Sequence, residues 1–374
     1  MYNIGIIGCG KRVGNDLLPI LLQNNGDFRI KAVCDPNVKG MKEKFKGMDV
    51  VIYTDADEML ANEKLDGVMI GTRCSLHTDF MVKVARYKIP TFLEKPVSIS
   101  DEQLDKLIAL TGIDDRVVVS FPLRYTNIVN TVRDIIRSGK IGKVAQVQAY
   151  NNVPYGRGYY HGWYRDEKET GGLWLQKATH DFDYINSIVG INPVQICAME
   201  SKQVFHGCVP EGTTCDSCQH RFDCPESAMN VETYGDRYKV QNGCCFAKDT
   251  GNHDSATAIV MYGNGMHAVY TQNFIARKGA GKRGARFIGY YGTVEFDFNT
   301  GEITVYYHNT DHVEKHIIPK TPGHSGGDKL LLKNFADVVR GTDKSKAPLS
   351  DGILSARMCL VAKRSSKKRR FLNI

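Results

Sequence analysis

The chain has 374 residues, 42% hydrophobic and 24% charged, with a net charge of +8. This exceeds one typical domain, suggests two, and leaves ample apolar material for a core. No stretch nears the roughly 20 apolar residues of a membrane helix, and no basic region precedes an apolar signal segment, so a cytoplasmic protein is expected.

In chain order, the first third alternates strands and helices. Expected strands are Tyr2–Ile7, Phe28–Cys34, Val50–Tyr53, Gly67–Gly71, Thr91–Leu93 and Val117–Ser120. Helical patterns lie between them, including Phe80–Tyr87 and Ser100–Leu110, the latter capped by Ser100 with Gln103 in the capping-box position. This rhythm implies a parallel sheet with right-handed crossovers. After Val144 the pattern turns to β: Val144–Tyr150, Val194–Met199, Ser255–Met261, His267–Phe274, Ala285–Tyr291 and Ile303–Tyr307, with a hairpin at Gly263-Asn264-Gly265. Late helices are expected at Leu330–Val339 and around Gly352–Lys363. The expected fold is therefore α/β, a doubly wound parallel sheet over 1–122 followed by an α/β domain over 123–374. The second domain would hold a large, open, mostly antiparallel sheet. The basic run from Lys363 to Arg370 lacks interleaved aromatics and reads as a solvated helix end, so neither nucleic acid nor membrane is expected as a partner.

The opening run Ile4-Gly5-Ile6-Ile7 breaks into Gly8-Cys9-Gly10 and continues as a helix, the form of a dinucleotide-binding βαβ start. Glycines there let a backbone approach a pyrophosphate, which would rest near Gly8, Gly10, Lys11, Arg12 and Val13 at the helix N-terminus. The third small residue is displaced: Val13 stands where it is expected, and Gly14 follows. Asp35 ends the second strand, where an acid binds a ribose 2′-hydroxyl; the competing reading is a turn residue before Pro36. A carboxylate repels a 2′-phosphate, which favours NAD over NADP. Further on, Glu94-Lys95-Pro96 closes the fifth strand, and the carboxyl ends of such strands are where open α/β sheets bind ligands.

Hydride transfer from an alcohol needs a base, and histidine titrates in the right range. His180 lies on a helix opened by Gly171-Gly172, with Gln176, Lys177 and Asp183 clustered on the same side. That side faces either a cleft or solvent. Just ahead, Tyr155 to Arg165 alternates glycines with aromatics and arginines. This suits a loop in which Tyr155, Trp163 and Arg165 meet a sugar, or one whose aromatics plug the core. Arg124, past the sixth strand, is another candidate for the substrate cleft.

These pieces together resemble the glucose–fructose oxidoreductase/inositol dehydrogenase (Gfo/Idh/MocA) family nearly end to end. The matching pieces are the glycine turn, Asp35, Thr72 with His77, Glu94-Lys95-Pro96, the Gly-Gly helix with His180, the second sheet and Gly326-Gly327-Asp328. The resemblance implies a Rossmann domain plus an open-sheet domain, a homodimer or homotetramer formed through that sheet, and NAD(P)-dependent oxidation of sugars or cyclitols. It makes Lys95 and His180 the catalytic pair and adds Thr72, His77, Glu94 and Lys95 to the cofactor site. Lys95, Arg124, Tyr155, Trp163, Arg165, Gln176, Lys177 and His180 form the expected substrate set. One departure stands out: many such dehydrogenases carry an aspartate four residues before the histidine, and this chain has Gln176, which cannot take a proton.

The resulting expectation is an NAD-dependent oxidoreductase acting on a secondary hydroxyl of a sugar, cyclitol or sugar acid. One rival retains NAD and cleaves or isomerises a glycoside through a transient keto intermediate. A second rival is a non-catalytic NAD- or sugar-binding regulator. Eleven cysteines are a high count for a cytosolic enzyme. Within a polar insertion at about 208–245, Cys215, Cys218 and Cys224, with Cys244 or Cys245, have the composition of a structural zinc site; free thiols, a disulfide and an iron–sulfur cluster are the alternatives.

Overall fold

The computed structural model describes residues 1–230 and 242–374. By contacts the chain forms two compact units, Met1–Val129 with Thr321–Arg357, and Asn130–Lys320 with Met358–Ile374. The segment 321–357, expected to belong with the second domain, thus packs with the first, and so do residues 123–129.

The first unit is built on six parallel strands: β1 (Tyr2–Ile7), β2 (Phe28–Cys34), β3 (Val51–Tyr53), β4 (Gly67–Ile70), β5 (Thr91–Leu93) and β6 (Val117–Val119). Their order is β3-β2-β1-β4-β5-β6, a doubly wound sheet whose strand order reverses beside β1. Ligands bind at such a reversal. The strands are apolar along their length because helices cover both faces, and Ile4, Ile6, Val68, Met69, Phe92 and Val118 are wholly buried. Helix Asp101–Ile108 is capped as expected: Ser100 Oγ accepts from Gln103 N, and Gln103 Oε1 accepts from Ile99 N, one residue earlier than in a standard capping box.

The second unit carries a nine-stranded sheet of β7 (Val144–Asn152), β8 (Pro193–Ser201), β9 (Ser255–Tyr262), β10 (His267–Asn273), β11 (Lys282–Gly289), β12 (Gly292–Asp297), β13 (Glu302–Tyr307), β14 (Val313–Ile317) and β15 (Leu372–Asn373). Its order is β14-β13-β12-β11-β7-β10-β9-β8-β15. The β7–β10 pair is parallel and every other pairing is antiparallel. Alternation along β9 buries Ala256, Ala258, Val260 and Tyr262 and exposes Ile259 and Met261. Three strands escaped the sequence pattern. Strand β12 follows β11 after a two-residue turn, so one apolar run reads through both; β14 has no apolar majority, and β15 is two residues long. Among the described residues no helix is long and apolar enough to cross a membrane.

Candidate functional site

In the first unit, the turn after β1 explains its glycines one by one. Gly8 has φ +80°, and a Cβ there would meet Thr72 at 2.7 Å, so the position requires glycine. A Cβ on Gly10 would meet nothing within 4 Å; this glycine leaves open space above the turn, as close approach of a pyrophosphate needs. Gly14, rather than Val13, is the residue for close packing, because a Cβ there would meet the Cys9 carbonyl oxygen at 2.5 Å. The extra residue before it is absorbed by a π-helical stretch over Lys11–Leu17 ahead of helix Leu18–Asn24. Val13 itself is wholly buried and packs over Gly71, so its side chain belongs to the core.

Asp35 fills the turn reading of its place. Its oxygens accept from Cys9 N and Asn37 N, each at 2.9 Å, which fixes the glycine turn to the end of β2. A carboxylate has about four lone-pair sites, so acceptor capacity remains for a ribose.

Arg12 departs from its expected role. Its guanidinium holds Asp328 through two hydrogen bonds of 2.5 and 3.1 Å, and its Nε lies 3.4 Å from Glu94 Oε1. Glu94, 6% exposed, also accepts from Ser120 Oγ at 2.8 Å. Burial would raise the Asp328 pKa, but hydrogen bonds from His324 and Arg12 outweigh it and hold the carboxyl well below the ordinary range. The first helix is thereby tied to the Glu94-Lys95-Pro96 loop and to the start of helix Gly327–Arg340. Lys11 is exposed, and Thr72 Oγ1 donates to its neighbour's carbonyl.

His77 was also assigned to the cofactor, yet both ring nitrogens lie against backbone carbonyls, Nδ1 2.8 Å from Pro96 O and Nε2 3.2 Å from Thr72 O. Burial pushes its pKa down. It acts as a clamp that holds the loop after β4 to the loop carrying half-buried Lys95, whose peptide bond to Pro96 is cis. Arg124, expected in the substrate set, is engaged within this unit: its Nη1 donates to Lys346 O at 2.7 Å and to Asp351 at 2.6 Å.

In the second unit, Gly171 and Gly172 both have positive φ, +74° and +93°. They start a π-helical turn over Trp174–Ala178 that runs into helix Thr179–Val189. The polar side of this helix is no solvent face: Gln176, Lys177, His180 and Asp183 are at most 7% exposed. Gln176 donates to Thr170 O at 3.0 Å, so its amide braces the glycine pair. Lys177 Nζ donates to Tyr155 Oη at 2.7 Å and lies 4.3 and 5.1 Å from the ring centres of Tyr155 and Tyr159. Burial holds the Lys177 ammonium below the ordinary lysine range. Burial would raise the Tyr155 phenol, but the charges of Lys177 and Arg283 bring it below its usual value.

Next to His180 in the chain stands a group that sequence reasoning missed. Asp181, wholly buried, accepts from Arg283 Nε at 2.8 Å and from Asn151 Nδ2 and Tyr270 Oη, each at 2.9 Å. The Tyr270 hydroxyl also reaches Gln272, which reaches His253. The available signal was inward-facing polar residues on strands that otherwise bury apolar ones. Of the aromatic loop, Tyr155 joins Lys177, and Trp163 stacks on Tyr164 at 3.9 Å. Arg165 pairs with Asp249, just past the insertion, at 2.6 Å. All eleven cysteines are unbridged.

Comparison with known proteins agrees with this fold. The model of an oxidoreductase family with an NAD-binding Rossmann fold matches residues 2–120, and the GFO/IDH/MocA C-terminal domain matches 129–295. Bacillus subtilis YteT, named as an oxidoreductase, is 25% identical over 90% of this chain and 88% of its own. Myo-inositol 2-dehydrogenase of Thermotoga maritima is 26% identical over 50% of this chain and 54% of its own. The structure of a levoglucosan dehydrogenase in complex with NADH and levoglucosan superposes with a TM-score of 0.78 at 15% identity, covering 100% of this chain and 99% of that one.

Proposed function

Because the chain belongs to the GFO/IDH/MocA family of NAD-binding oxidoreductases, we propose that it oxidises a secondary hydroxyl of a sugar, cyclitol or sugar acid with NAD as the hydride acceptor. The carrying observation is the buried polar side of the helix over 174–189, where His180 and Lys177 lie beside a charge-paired Asp181. Burying such groups is costly unless they are paired or used. The relatives named as inositol dehydrogenases, and the levoglucosan dehydrogenase of the same fold, support a carbohydrate substrate.

Bound NAD would supply the two-electron acceptor. The fit to it rests on the open space over Gly10 and on Asp35 at the end of β2; Gly8, Gly10 and Asp35 would hold it. NAD is favoured over NADP because the Asp35 carboxylate repels a 2′-phosphate and no arginine follows it: the next residues are Pro36 and Asn37. His180 takes the hydroxyl proton. Lys95 polarises the substrate oxygen, and Glu94, fixed by Ser120 and Arg12, restrains the loop on which Lys95 stands. Lys177, oriented by Tyr155, donates to a second substrate oxygen. The cysteine insertion takes no part in hydride transfer. Exposed Val194, Met199, Ile259 and Met261 on β8 and β9 support assembly through the outer face of the second sheet.

The test measures NADH formation across a panel of sugars, cyclitols and sugar acids. Lys95→Met and His180→Ala should each retain NAD binding and lose about 10²–10⁴-fold in turnover. His180→Ala should also lose the acidic limb of the pH–rate profile. Near-normal turnover with an unchanged profile in His180→Ala would refute this assignment.

A further inference from the structure

We propose that the substrate is a sugar acid whose carboxylate rests on the Lys177 ammonium; this narrows, and rests on, the carbohydrate-oxidising function proposed above. The inference comes from the balance of charge around one side chain of the second unit. Lys177 stands in the π-helical turn that leads into the His180 helix and is 7% exposed. Its Nζ donates to Tyr155 Oη at 2.7 Å and lies over the rings of Tyr155 and Tyr159. Both tyrosines are half-buried, so the ammonium is covered by side chains that themselves reach the surface. Ring faces offset part of the cost of burying a cation. A neutral phenol accepts the hydrogen bond without supplying a full charge.

The carboxylate four residues along the helix is already engaged. Asp181 accepts from Arg283 Nε at 2.8 Å and from Asn151 Nδ2 and Tyr270 Oη, each at 2.9 Å, which fills three of its roughly four lone-pair sites. Arg283 and Asp181 form an ion pair whose side chains are 13% and 0% exposed. Arg283 Nη2 is buried and has no hydrogen-bond partner among the described residues, so the guanidinium is not fully satisfied by that pair. Burial holds the Lys177 ammonium below the ordinary lysine range, and the repulsion it feels from Arg283 exceeds its attraction to Asp181. The group formed by Tyr155, Lys177, Asp181 and Arg283 therefore sets two cations against one carboxylate.

A buried surplus of one positive charge is costly, and the chemistry that cancels it is a monoanion. A hydroxyl of a neutral sugar or cyclitol accepts a hydrogen bond but brings no charge. A phosphate brings about −1.5 to −2 charges and three strongly accepting oxygens, more than one ammonium and a phenol answer. A carboxylate brings one charge, and a hydrogen bond to it is roughly twice as strong as one to a neutral oxygen. The competing way to remove the surplus is ionisation of Tyr155 itself. That would leave Lys177 with no preference for an anion.

The full-length protein with NAD is assayed for NADH formation with D-glucuronate, D-galacturonate and D-gluconate, each beside its neutral counterpart D-glucose, D-galactose and D-glucitol, and with myo-inositol and glucose 6-phosphate. At least one acid should exceed its neutral counterpart about 10- to 100-fold in kcat/KM, the worth of one charged hydrogen bond. Lys177→Met should bring that ratio close to one. Calorimetric titration of the wild-type NADH complex with the same compounds reads the preference without turnover and without a variant. Acids that bind selectively in a protein forming no NADH from any compound would defeat the hydride-transfer reading and keep the carboxylate site. The proposal is overturned if neutral sugars or myo-inositol serve as well as the acids, the result expected should Tyr155 ionise instead. It is equally overturned by a preference for the sugar phosphate, by a ratio that survives in folded Lys177→Met, or by the absence of both binding and turnover.

Discussion

Replacing Asp328 by Asn cuts the tie between the first helix and the segment that returns to the first unit. The lost interaction is a bidentate ion pair of 2.5 and 3.1 Å to Arg12, with a third contact from His324 at 3.1 Å. Its carboxylate is 3% exposed and its arginine 26%. Removing one partner of a buried pair costs about 3–5 kcal/mol. Arg12 is a quarter exposed and retains Glu94 at 3.4 Å, so solvent screening brings the cost to or below the lower end of that range, about 2–3 kcal/mol. The pH dependence has a definite sign. The Asp328 pKa is depressed in the folded state, so its contribution is present above the unfolded carboxyl value near 4 and is lost as pH falls toward the folded value. Urea unfolding of wild type and variant at neutral pH and at successively lower pH checks this. The variant should be weaker at neutral pH, and the gap should close on acidification below about pH 4. A variant within about 0.5 kcal/mol of wild type, the ordinary range for surface substitutions, or a gap that widens at low pH, would refute the reasoning.

Asp35→Ser combined with Pro36→Arg should raise the use of NADP relative to NAD, read as the ratio of kcat/KM for the two; a wild type that already prefers NADP would defeat the reading of Asp35. Lys177→Met should lower kcat/KM for the best carbohydrate substrate about 10- to 100-fold, the worth of one charged hydrogen bond, with NAD affinity unchanged; equal losses in NAD affinity and turnover would instead mean a structural role. Ile259→Glu with Met261→Glu should reduce the assembly measured by light scattering to a smaller species, because both side chains are exposed on one face of β9. No change in mass would remove that face as an interface.

The sequence spelled out what local chemistry controls and little of what distant residues decide together. Strands β1, β2 and β5 fall where their apolar runs begin and end, and the strand–glycine–helix start was legible because only glycine meets the demand at Gly8. The assignment of the third small residue to Val13 failed because a π-helical stretch shifts the register by one residue, and such a stretch leaves no compositional mark. The basic residues share one feature that the sequence does not show. Arg12, Arg124 and Arg165 each stand where a ligand contact was plausible, but each meets a carboxylate far along the chain: Asp328, Asp351 and Asp249. A guanidinium near a candidate site will pair with any carboxylate that the fold brings within reach, and those partners lie 84 to 316 positions away. Lys177 differs because its ammonium donates to a phenol rather than to a carboxylate. An ammonium that is buried without full charge compensation costs stability, and that cost is most readily offset if the charge is used on an oxygen of the substrate.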